Sequence, residues 1–165
     1  MLRRWRTAAS PKSHFFTCAR PGRRGNPATK QWPVPDELVH RWVLGLPGPK
    51  TAIVSLLGRK PDGLSEFSFY SFYGGFDLPS DHPGRPSFQE WLERWHGDLS
   101  ILLREHPTVD IQPPIPAATL EAVAVDIGEL LVAGRTVVLM DSGGDTRTRV
   151  VCNHIKATED SSQAP

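Results

Sequence analysis

Apolar and polar positions along the chain follow two periods, one near four residues and one of two, and the switches between them predict the elements. Asp36 to Leu44 spaces its apolar residues for one helical face, opens on an acidic side chain and stops at Gly45, so a short helix is predicted there. Thr51 to Leu57 is a continuous, partly β-branched apolar run and predicts a buried strand. Phe15 to Thr17 predicts a first strand, and Glu66 to Phe72, where aromatic residues alternate with serines, a further one. Residues 73–86, rich in Gly, Pro and Asp, read as a loop. Ser87-Phe88-Gln89-Glu90 is a capping box that opens a helix through about His96, and the pattern allows it to continue to Glu105. A long helix follows from Ala117 to Ala133, with Leu120, Ala124, Ile127 and Leu131 on one face and Gly134 as its stop. Thr136 to Met140 is a buried strand that runs into a glycine-bearing loop and a final helix to about Ala157.

Strands alternating with helices predict an α/β fold, a central mainly parallel sheet of about four to five strands with helices on both faces. In such a sheet a ligand sits at the carboxyl ends of the strands, where the loop at 141–147 emerges. One domain, residues 13–157, is expected, preceded by a basic flexible arm (1–12) and followed by a disordered tail (158–165).

Charge sharpens the picture. The first 35 residues hold eight basic and no acidic side chains, and the remainder eleven basic against eighteen acidic, so a basic arm of +8 precedes a body of −7. Such an arm has the means to touch nucleic acid, acidic lipid or the acidic body, and its Arg-rich look is also that of an organelle-targeting segment. The reading adopted is a solvated tail, with no nucleic-acid partner expected. No apolar run approaches ~20 residues, so no membrane span is predicted. Cys18 and Cys152 do not make a disulfide framework, which points to a reducing, cytoplasmic setting. His96, His106 and His154 lack metal-ligand spacing, so neither metal nor cofactor is expected. Trp91 and Trp95, four apart on a helix, read as core or partly buried surface.

The candidate chemistry lies in the loop Asp141-Ser142-Gly143-Gly144-Asp145-Thr146-Arg147. Backbone N–H groups around two glycines can point inward at a tetrahedral anion, and the following helix adds unpaired N–H groups and the positive end of its dipole. Arg147 has the fork that grips two phosphate oxygens. Three other motifs fail here. DSGG lacks the chain length and the histidine of a chymotrypsin-like protease, Gly143 stands where a haloacid-dehalogenase phosphatase needs a second aspartate, and Pro49 spoils the nearest Walker A match. Cys18 to Arg24 also has C-x5-R spacing, but Pro21 and Pro27 make it an opening strand and turn.

With Gly144, Arg147 and Thr148 in register, the loop resembles the H-C-x-x-G-x-x-R-[ST] signature of cysteine-based protein phosphatases, and the order of elements resembles the dual-specificity phosphatase domain. The resemblance implies a phosphate cradle lined by Ser142, Gly143, Gly144, Asp145, Thr146 and Arg147, with the catalytic nucleophile at residue 141. Asp141 stands there in place of cysteine, and Met140 in place of the family's histidine. Thr148 matches the hydroxyl that assists departure of the thiolate. Asp110, 31 residues before Asp141 in the proline-bearing stretch 110–116, matches the general acid that protonates the leaving group.

Three functional expectations follow. The first is a pseudophosphatase without turnover that binds a phosphorylated protein or a small anionic ligand. The second is an active phosphoric monoester hydrolase that uses Asp141 as base or nucleophile and Asp110 as acid. The third is an interaction module without an anion site, its cradle filled by Asp141 itself in a pair with Arg147.

Overall fold

The computed structural model describes residues 2–7, 10–21, 34–58, 87–109 and 114–162. Its elements, in chain order, are β1 (Arg3–Thr7), β2 (Ser10–Ala19), α1 (Asp36–Leu44), β3 (Thr51–Ser55), α2 (Phe88–His96), β4 (Leu102–Glu105), α3 (Ala117–Val132), β5 (Thr136–Asp141) and α4 (Thr146–Ser162). The strands form one five-stranded sheet in the order β1-β2-β5-β3-β4. β2, β5, β3 and β4 run parallel, and β1 pairs antiparallel with β2.

The two-residue period of the inner strands explains how both faces are covered. Val138 and Met140 of β5 and Ile53 of β3 join Val39, Val43, Trp91 and Leu92, so α1 and α2 cover one face. Val137 and Leu139, with Ala52 and Val54, join Val123, Ile127, Leu131, Val151 and Cys152, so α3 and α4 cover the other. The predicted α/β architecture with helices on both faces is therefore present, and its mostly parallel sheet is the one expected.

Local signals account for the element ends. Ser87 Oγ accepts from the Glu90 N–H at 3.1 Å and a Glu90 carboxylate oxygen accepts from the Ser87 N–H at 2.6 Å, so the capping box forms. α1 ends at Gly45 as predicted, its N–H bonded to the Arg41 and Trp42 carbonyls. Trp91 is core, while Trp95 is exposed.

Three expectations need correction. Residues 3–7, expected in a flexible arm, form β1, where pairing satisfies the backbone and the Arg4 guanidinium lies 5.7 Å from the centre of the Phe16 ring. α2 does not continue to Glu105. A 3-10 turn at Gly97–Leu99 and a left-handed Ser100 (φ 50°) end it, and β4 follows, paired with β3. Residues 158–162, expected as disordered tail, extend α4, with the hydroxyls of Thr158 and Ser161 donating to the carbonyls of His154 and Ala157 four residues back. The strand predicted at 66–72 and the loop at 73–86 lie outside the described residues.

Candidate functional site

The four parallel strands all end on one side of the molecule, and backbone bonds carry the alignment past their ends. The Arg20 N–H donates to the Asp141 carbonyl, Leu56 N–H to Met140, and His106 N–H to Ser55, each at 2.8 Å. The loop after β5 thus leaves from the centre of this edge, flanked by the turns after β2 and β3.

The loop curls around a single group, the carboxylate of Asp141. One carboxylate oxygen accepts from the N–H of Gly143 at 2.8 Å and from the N–H of Gly144, and the other accepts from the N–H of Thr148 at 2.9 Å. Asp141 is 1% exposed, so these bonds replace the water that the carboxylate gives up on burial. Gly144 makes the curl possible. Its φ is +69°, and a Cβ there would stand 2.3 Å from the Ala19 backbone nitrogen, so the loop rests directly on the end of β2.

The remaining residues of the expected cradle divide between the loop and its surroundings. Thr148, 1% exposed, brings a backbone N–H to the carboxylate. Arg147 is buried, and its Nη1 donates to the Leu56 carbonyl and to Thr108 Oγ1, both at 3.1 Å. Asp145 is half-exposed and accepts from Arg149 at 2.6 Å and from Arg3 at 3.4 Å, which ties the loop mouth to β1. Ser142 is half-buried, and Thr146 opens α4 at the surface. Asp110 lies outside the described residues, which stop at Val109 on that side.

Sequence reasoning missed the Leu56–Thr108 junction. The Leu56 carbonyl accepts from Thr108 Oγ1 at 2.7 Å and from Thr108 N–H at 3.3 Å as well as from Arg147, so one oxygen joins the turns after β3 and β4 to the start of α4. Thr108 carries no local signal for this role, because its partner Leu56 lies 52 residues away in the turn after β3.

The chemistry open to this arrangement follows from the donors. The N–H groups of Gly143, Gly144 and Thr148 are those a bound phosphate would need, and they are given to Asp141. A phosphate dianion brought beside that carboxylate would meet repulsion of about 4 kcal/mol per pair of unit charges ~4 Å apart at an effective dielectric of ~20. Neither cysteine among the described residues is held as a thiolate. Cys18 is pushed up to about 12, chiefly by burial, and Cys152 is pushed up to about 12 by burial.

Comparison with protein-family models, with curated proteins and with solved structures returns no match to this chain.

Proposed function

We propose that the chain is a dual-specificity-phosphatase-like domain without phosphatase chemistry, which works by binding a partner while Asp141 fills its anion cradle. The observation behind this reading is the convergence of the Gly143, Gly144 and Thr148 N–H groups on the Asp141 carboxylate. A side chain that takes the donors of the cradle is an internal stand-in for the anion, and its oxygens are poorly placed to attack phosphorus while they accept from the loop. The resemblance rests on the order short helix, apolar strand, proline-bearing loop, long helix, strand, loop and helix, and α1, β3, α3, β5 and α4 follow one another in that order, with α2 and β4 between β3 and α3. A phosphorylated protein or small anion would reach the cradle only by displacing Asp141.

The test is aryl-phosphate hydrolysis by the wild type beside Asp141→Cys. A silent wild type with an active, vanadate-sensitive variant is the expected result, since the substitution restores the nucleophile and frees the donors. Wild-type turnover that disappears in Asp141→Asn would establish the hydrolase reading instead. Silence in both proteins would overturn the phosphatase-like assignment of the loop.

A further inference from the structure

A second site lies on the α3–α4 face and shares no residue with the loop. Glu121, Ala124, Val125, Ile127, Gly128, Leu131, Ile155, Thr158 and Glu159 line a groove of about 210 Å³ between the two helices. Its floor is apolar, and its ionisable lining residues are the two glutamates, one on each helix; Glu121 pairs with His154 Nε2 at 3.3 Å through one carboxylate oxygen.

Three features of α3 bear on what this face could receive. The helix is rich in apolar residues beyond the four it buries, and Val125 and Val132 are 48% and 79% exposed. Its charged residues are Glu121, Asp126 and Glu129, with neither lysine nor arginine. Gly128 stands in the helix interior, where glycine is unfavourable, and the fold does not require it there. A Cβ added at Gly128 would meet nothing within 4 Å, and its φ is not left-handed. What the missing side chain leaves open is the groove.

We propose that the α3–α4 groove docks an amphipathic helix of a protein partner, with apolar side chains in the groove and lysines or arginines against Glu121 and Glu159. A cavity of this volume is below the ~300–1,000 Å³ of small-molecule pockets and suits one or two large side chains. A helix supplies such side chains at i, i+4 and i+7 along a groove. The acidic rim selects a basic partner and disfavours a second copy of α3, which would bring its own acidic residues.

The experiment uses the full chain and two fluorescein-labelled helical peptides with leucines at i, i+4 and i+7, one flanked by lysine and arginine, the other by glutamate. The basic peptide is expected to bind at least about tenfold more tightly by anisotropy. Gly128→Leu is expected to weaken it about tenfold without lowering the melting temperature, which separates a filled groove from a damaged fold. Glu121→Lys combined with Glu159→Lys is expected to reverse the preference. Equal binding of the two peptides, undiminished binding to Gly128→Leu, or no binding of the basic peptide would overturn the proposal. Self-association of the wild type that Gly128→Leu abolishes would assign the groove to a second copy. None of these outcomes depends on what the loop at 141–148 binds.

Discussion

Replacing Asp141 by alanine removes the acceptor of three backbone N–H groups at once. Each hydrogen bond to a charged group contributes about 1.5–3 kcal/mol, so the three bonds to Asp141 represent roughly 4–9 kcal/mol before the opposing term. That term is the cost of burying the carboxylate, about several kcal/mol for one ion. A net loss of about 3 kcal/mol is expected, or a fall of roughly 6–12 °C in melting temperature for a domain of this size. The assay is thermal unfolding followed by circular dichroism, with and without sodium tungstate. In Asp141→Ala the vacated donors accept an oxyanion, and tungstate at ~100 times its dissociation constant returns about 2.7 kcal/mol. The wild type, with its donors engaged, is expected to be indifferent to tungstate. Asp141→Asn should fall between the two, because its amide oxygen can accept from Gly143 and Gly144 while its NH2 group faces the Thr148 N–H. The reasoning is refuted if Asp141→Ala melts within about 2 °C of the wild type, or if tungstate stabilises both proteins equally.

Two further predictions concern the loop support and the α1–α2 seam. Gly144→Ala combines a left-handed backbone with a Cβ 2.3 Å from the Ala19 nitrogen, so a loss above about 2 kcal/mol is expected; Gly128→Ala, which meets nothing, should gain about 0.5–1 kcal/mol, and equal melting temperatures for the two variants would contradict both accounts. His96, buried between the helices with its Nε2 2.8 Å from His40 Nδ1, is held below the usual histidine range by burial first and by the His40 charge second, against the pull of Asp98. A histidine more acidic in the folded than in the unfolded chain contributes stability in full above about pH 6.5 and loses it as pH falls below that value, down to its folded pKa. Melting temperatures between about pH 8 and pH 5 should therefore fall with acidity less steeply in His96→Gln than in the wild type.

Local signals in the chain were sufficient for some elements and silent for others. α1 was legible from Asp36 to Gly45, and α2 from its capping box, because those signals sit within one turn of each helix end. β4 was hidden because Leu99 and Leu103 continue the helical spacing of Leu92 and His96, while the break depends on the conformation of Gly97–Ser100. β1 was hidden because three arginines in five residues read as solvated chain, and its strand comes from pairing with β2. At the candidate site, the glycine loop and the carboxylate at its start were legible; the expectation that Asp141 turns into its own loop in a pair with Arg147 is met as far as its bonds to the N–H groups of Gly143, Gly144 and Thr148 go. The contacts of Arg147 with Leu56 and Thr108 were not, since they depend on the register of β3 against β4 and β5.

Strand β1 has a consequence for how the molecule meets others of its kind in solution. β2 is ten residues long and carries Phe15 and Phe16, and one of its sides is occupied by β5. Its other side is covered, among the described residues, by β1, over a register that reaches from Arg3 opposite Thr17 to Thr7 opposite Ser10. Trimming of the first residues would bare those hydrogen-bonding groups, and a bare strand edge is a template on which another chain can add. Two of the arginines that made the segment look like a loose arm tie it down instead, Arg3 to Asp145 and Arg4 over the Phe16 ring. Removing β1 is therefore expected to raise the tendency of the chain to associate through β2, read as an increase in light scattering.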